Sequence, residues 1–169
     1  YMGFPEYNSD VKAKNILNTN NKVKSKIKEV FGESIYVNEI VDRKKLAEIV
    51  FNHKEKLIIL NSIVHPAVGE DFENWKLNQS TPFVLKESAI LFESGIYKKL
   101  DATILVTAPI QTRINRVKKR DNSSVKEIEN RINNQWSDIK KIELASYSID
   151  NSGEKLVIPQ VLNIIKKLT

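Results

Sequence analysis

The stretch ATILVTAPIQTRINRVKKRD, residues 102–121, decides the fold. Residues 102–107 form a β-branched apolar run without polar alternation, the pattern of a parallel-sheet strand covered on both faces. Pro109 suits the first turn of a helix over 109–119: its φ is preset, and its missing N–H would lack a partner there anyway. Arg113, Arg116 and Arg120 follow at i, i+3 and i+7 and share one face of that helix. Three guanidiniums on one stripe repel each other unless anions lie between them, and an Arg fork binds two phosphate oxygens at once. A solvated basic face is the competing reading. The polar turn 121–124 after Arg120 has the composition of a mobile segment.

Working outward, residues 10–31 have helical apolar spacing, with a break at Asn18–Asn21 and a stop at Gly32. Asp42 is placed to cap a helix over 43–51. A long helix over 54–78 contains Pro66, which predicts a kink or break at His65–Pro66. Phe83-Val84-Leu85 reads as a buried strand. Beyond the opening stretch, 124–142 reads as helix, 147–150 as strand, and Pro159 as the start of a last helix over 159–168. Strands alternate with helices, so the fold class is α/β with a parallel sheet. Ligands in such sheets sit at the carboxyl ends of strands, which directs attention to Asp10, Glu93, Pro109 and Asn151.

The 169 residues suit one domain with a sub-domain or lid. Net charge is +6, spread in short groups without aromatic interleaving, which favours phosphates over nucleic acid. There is no cysteine, which excludes disulfides, thiolate zinc sites and cysteine nucleophiles. No apolar run reaches membrane-spanning length and no signal peptide is visible. The expectation is a cytoplasmic protein, a monomer, binding neither membrane nor nucleic acid.

Asp10 is either an N-cap or a general base at a strand end. Lys14, one turn later, is either a weak surface partner of Asp10 or a phosphate ligand. His65 is either a satisfied structural histidine or a ring aimed by the Pro66 kink. His53 is too isolated to join it in a metal site, so no protein metal site is expected. Glu87 and Glu93 bracket the apolar Ile90-Leu91-Phe92. Acids there need a partner or a ligand; a strand-end carboxylate in water is the alternative.

Six segments, NSDVKAK (8–14), DRKKLAEIVF (42–51), LNSIVHPAV (60–68), ESAILFESG (87–95), RVKKRD (116–121) and IDNSG (149–153), together resemble the dephospho-CoA kinase family in order and spacing across essentially the whole chain. The resemblance implies a three-layer P-loop kinase fold: a parallel sheet core, a helical CoA-binding region over 33–80 and a lid over 116–142, within one domain spanning 1–169. It implies transfer of the ATP γ-phosphate, with Mg²⁺, to the 3′-hydroxyl of dephospho-CoA, the last step of coenzyme A biosynthesis. By match to the family pattern, Asp10 is the catalytic aspartate. Lys14, Arg43, His65 and Glu93 fall in the acceptor site, and Arg116, Arg120, Asn151 and Gly153 in the ATP site.

The chain departs from that pattern in places. Asn8 and Asp10 stand where two aspartates are usual, Ala89 where a proline is, Lys14 where an arginine is common, and Lys140 and Lys141 where arginine is expected. No Gly-x-x-x-x-Gly-Lys-[Ser/Thr] occurs: the glycines are 3, 32, 69, 95 and 153, and none is followed by lysine. A P-loop kinase needs that loop to cradle phosphates. The expectation is that a strand, loop and helix precede residue 1, on the order of 20–30 residues, with Met2-Gly3-Phe4-Pro5 as the turn and strand after that helix. Competing expectations are another nucleoside or nucleotide kinase of this fold, a truncated inactive CoA-binding module, and, third, a basic nucleic-acid-binding domain.

Overall fold

The computed structural model describes residues 3–51 and 53–168; Met2 of the expected opening strand lies outside them. The chain divides into two compact units, residues 1–89 and 90–169.

In the first unit, β1 (Glu6–Asn8) pairs in parallel with β4 (Leu85–Glu87), Glu6 opposite Leu85 and Asn8 opposite Glu87. Asn8 also caps α1 (Ser9–Thr19): its side-chain oxygen accepts the Val11 N–H at 2.9 Å. Asn20 ends α1 and caps α2 (Asn21–Phe31), accepting from the Val23 N–H, which is the break expected near Asn18–Asn21. Gly32, at φ 94°, closes α2. The short hairpin β2 (Tyr36–Val37) and β3 (Ile40–Val41) turns through Asn38 and Glu39, both left-handed. Glu39 is fixed there by ion pairs to Lys24 and Lys28. Asp42 accepts the Lys45 N–H at the start of α3 (Arg43–Phe51).

The helix α4 (Lys54–Leu77) runs through Pro66 without the break that is one of the two expected outcomes, a kink or a break. Val64, Val68 and Phe72 are buried on either side of the proline, and their packing outweighs one missing backbone hydrogen bond. The core gathers Tyr7, Ile16, Leu17, Val23, Ile27, Ile35, Val64, Val68 and Phe72. Each such side chain contributes about 1.5–3 kcal/mol relative to exposure. Tyr7, at its centre, donates its hydroxyl to Asp71 of α4 at 2.7 Å. The expected strand at 83–85 begins two residues later, and Leu85 is 43 % exposed rather than buried. Phe83 instead stacks its ring on Phe4.

In the second unit, β5 (Ile104–Thr107) pairs in parallel with β6 (Tyr147–Asp150), Thr107 opposite Asp150. Val106 is 57 % exposed, so β5 alternates and is not covered on both faces. Three consecutive apolar residues, Ile104 to Val106, cannot distinguish those cases, because the run has no period to read. After Pro109 comes α5 (Ile110–Asp121), ending at left-handed Asn122. The expected helix over 124–142 is two helices, α6 (Val125–Asn133) and α7 (Asp138–Leu144). Ser124 and Glu127 form a reciprocal cap on α6, and Ser137 caps α7, so the chain restarts a helix where one was expected to continue. The last helix, α8 (Val157–Leu168), starts two residues before Pro159, which sits in its first turn. Phe92, Ile114, Ile128, Ile149 and Ile164 are buried in this unit. No helix among the described residues is long and apolar enough to cross a membrane.

Candidate functional site

The parallel register of β1 and β4 sets Asn8 opposite Glu87, and the chain turns directly from Asn8 into α1. Asn8 takes the capping role, so Asp10 lies inside the first turn of α1 and its carboxylate is not consumed as the N-cap. The capping alternative for Asp10 is thereby removed. Burial pushes the Glu87 carboxyl above the usual carboxylate range, and the charges of Asp10 and Glu6 push it further. Asp10 and Glu87 therefore lie close enough for their charges to interact, near where two parallel strands end, the place at which open α/β sheets bind ligands. The sequence marks Glu87, with Glu93, as an acid that needs a partner or a ligand, but the family pattern assigns no site role to it. Its signal is the strand register, which only the fold reveals.

Lys14 is exposed one turn further along α1. The other lysine of that helix, Lys12, reaches Asp71 at 3.8 Å and lies over the Tyr7 ring. Arg43 is exposed as the first residue of α3, and His65 is half-buried in the middle of α4. Burial lowers the His65 pKa, which favours the neutral imidazole near pH 7. Among the described residues no group of three or more His, Cys, Asp or Glu could hold a metal ion by itself.

The second unit settles where each arginine of the α5 stripe goes. Arg113 pairs with Asp138 of α7 at 3.0 Å. Arg116 donates to the Asn151 carbonyl at 2.8 Å, and the Asn151 N–H donates to the Thr107 carbonyl at 2.8 Å. Arg120 pairs with its neighbour Asp121 at 2.6 Å. Mutual repulsion along the stripe is thus relieved inside the unit, one acceptor for each guanidinium. Arg116 and Asn151 are brought together at the carboxyl ends of β5 and β6. Gly153, two residues on, has φ 106°, a conformation that disfavours any side chain. Arg120 lies a turn further away and remains exposed.

Glu93 is not a carboxylate in open water. It is 14 % exposed and pairs with Lys141, itself 8 % exposed, at 2.9 Å. The same oxygen, Oε1, accepts the Trp136 backbone N–H at 2.8 Å. Burial alone would raise the Glu93 pKa; the Lys141 ammonium and the backbone N–H groups outweigh it, and the carboxyl ends below the usual range. Lys140 lies over the Trp136 ring at 3.5 Å. Neither Trp136 nor Lys141 stood out as a site residue in the sequence. The one signal was the lysine pair 140–141 at positions where arginine is expected.

A family model described as dephospho-CoA kinase matches residues 2–156. A dephospho-CoA kinase of Bacteroides fragilis is 36 % identical over 165 residues, covering 97 % of this chain and 80 % of its own. The Porphyromonas gingivalis dephospho-CoA kinase is 32 % identical over 166 residues, covering 98 % of this chain and 82 % of its own. Among solved structures, a Thermus thermophilus protein superposes with a TM-score of 0.87 at 29 % identity, over 99 % of this chain and 86 % of its own. The dephospho-CoA kinase of Campylobacter jejuni superposes with a TM-score of 0.66 at 27 % identity, over 98 % and 85 %.

Proposed function

The chain belongs to the dephospho-CoA kinase family, and on that premise we propose that Asp10 receives the proton of the dephospho-CoA 3′-hydroxyl as the γ-phosphoryl group leaves ATP. The observation that carries this reading is the pair of acids at the ends of β1 and β4, with Asn8 rather than Asp10 spent on the helix cap. A base held at a strand end and a helix start has few conformations, so the hydroxyl is aligned before it attacks.

The acceptor is held from the first unit. Lys14 offers a cation one turn beyond the base, while Arg43 and the neutral His65 contact other parts of the same ligand. ATP is held from the second unit. Arg116 and Arg120 meet its phosphates, and Asn151 with Gly153 lines the adenine side, where the absent Cβ leaves backbone room. The 116–142 region serves as the lid. The acid pair also suits Mg²⁺, which takes one or two carboxylates and completes its shell with phosphate oxygens and water; a three-ligand protein cage is not required. When bound, that ion offsets charge on the transferring phosphoryl group. Asp10 and Glu87 are the residues that would hold it. The reaction is placed in the cytoplasm and the protein is read as a monomer.

The test is ADP release by the intact protein with ATP, Mg²⁺ and dephospho-CoA, with acceptor-free and AMP controls. Acceptor-dependent turnover is the expected result, and Asp10→Asn should lower it by about 10²–10⁴-fold at an unchanged melting temperature. Full turnover by that variant would remove Asp10 from the mechanism.

A further inference from the structure

Glu93 lies where the apolar run Ile90-Leu91-Phe92 ends. Its Oε1 receives two donors from one distant segment, the Trp136 N–H and the Lys141 ammonium. Lys141 is the one charged side chain in the buried set among the described residues, and its ammonium also reaches the Gln135 side chain at 3.4 Å. Taking two such charges from water costs nearly as much as their attraction returns, so a buried pair adds little to stability. What it does impose is geometry, because neither charge has a second place to go. The segment so fixed is the turn 134–137 between α6 and α7. The start of α7 then carries Asp138 to Arg113 of α5, one turn before Arg116 on the Asn151 carbonyl.

We propose that Glu93 is a positioning residue for the donor nucleotide: through Lys141 and the Trp136 N–H it fixes the start of α7, and through Asp138 and Arg113 it sets the arginine helix α5. The proposal rests on the reading that α5 meets the ATP phosphates. It takes Glu93 away from the acceptor, the role that the family pattern implies for it. The alternative keeps Glu93 in direct contact with dephospho-CoA through Oε2, which is buried without a hydrogen-bond partner among the described residues.

The test compares Glu93→Gln, Lys141→Arg and the double variant Glu93→Gln/Lys141→Gln in the intact protein. KM for ATP and for dephospho-CoA are measured separately, beside the melting temperature. Glu93→Gln strands the buried ammonium and should raise KM for ATP about tenfold or more, with KM for dephospho-CoA within about twofold. Lys141→Arg keeps the charge and should stay near wild type. The double variant removes both charges and should recover most of the ATP affinity; it also answers if the single variant does not fold. A rise confined to KM for dephospho-CoA would put Glu93 on the acceptor and overturn the proposal. A lower melting temperature with both KM values unchanged would overturn it too, as a purely structural pair.

A second readout does not need turnover. The chain has two tryptophans, so Trp75→Phe leaves Trp136 as the sole emitter. An ATP titration of its fluorescence should give a Kd that Glu93→Gln raises by the same factor; an unchanged Kd would sink the proposal. If wild type binds ATP this way yet shows no acceptor-dependent ADP release, it is the kinase reading that has failed.

Discussion

Two acids in the first unit owe their roles to a neighbour. Asp10 is free of the cap because Asn8 caps α1, and the Glu87 pKa is raised because the charges of Asp10, in the first turn of α1, and of Glu6, at the start of β1, add to partial desolvation. The elevated Glu87 pKa carries a consequence for stability. A carboxyl raised in the folded state holds its proton more readily there than in the unfolded chain. Its contribution is therefore complete below the unfolded pKa near 4.5 and is lost as pH rises through the higher folded value. Around pH 7 the ionised Glu87, an exposed side chain, opposes folding weakly, through partial desolvation and like charge. Glu87→Gln should raise the melting temperature slightly near neutral pH, since the side chain is exposed and its charge is screened, and the gain should vanish towards pH 4. Thermal melts across that range decide it; a gain independent of pH would mean that charge is not the cause. Asp10 was legible in the sequence as an acid at a strand–helix junction, but not which residue capped the helix. Asn8 and Asp10 are both good caps, and only the register of the turn separates them.

At the scale of elements, most of the chain was legible because its punctuation is local. Gly32 and Asp42 stop and start helices where expected, and Pro109 stands at the start of α5, since each acts through its own backbone preference. Two of the misreadings lie where a distant partner bears on a local signal, whereas β5 misled because its apolar run has no period to read. Pro66 should kink or break α4, yet buried Val64, Val68 and Phe72 hold the helix through it without a break. The gap between α6 and α7 was hidden because Glu93, more than forty positions earlier in the chain, holds the Trp136 N–H at 2.8 Å. Two stability measurements follow. Asn8→Ala removes the α1 cap and should cost about 1 kcal/mol, a loss of some 2–4 °C in melting temperature for a chain of this size. No loss would show that solvent caps α1 equally well. Pro66→Ala restores an N–H to the helix interior and should stabilise it, because an interior proline costs up to about 3 kcal/mol. A lower melting temperature would mean instead that the ring is packed better than a methyl group could be.

At the scale of the whole molecule, the candidate residues partition by unit. Asp10, Lys14, Arg43 and His65 lie within residues 1–89; Glu93, Arg116, Arg120, Asn151 and Gly153 lie within 90–169. The family resemblance supplies the list, and the fold divides it, with Glu93 in the unit of the residues proposed for ATP rather than that of the residues proposed for the acceptor. Sequence spacing could not show that division, since Glu93 follows Glu87 by six positions and the boundary passes between them. If each unit holds its own substrate, each substrate should slow hydrogen exchange in its own unit. A ligand that binds only the folded form stabilises it by about 2.7 kcal/mol at a hundred times its Kd, and the effect is largest where its contacts block local opening. Dephospho-CoA alone should protect amides of α3 and α4. ATP alone should protect those of α5, the 134–137 turn and the 151–153 loop. In Glu93→Gln the ATP pattern should weaken throughout α5 and the turn while the dephospho-CoA pattern stays as it was. Exchange followed by mass spectrometry at peptide resolution separates the two halves of the chain cleanly. Protection of both halves by either ligand alone would overturn the assignment of one substrate to each unit, whatever the individual side chains do.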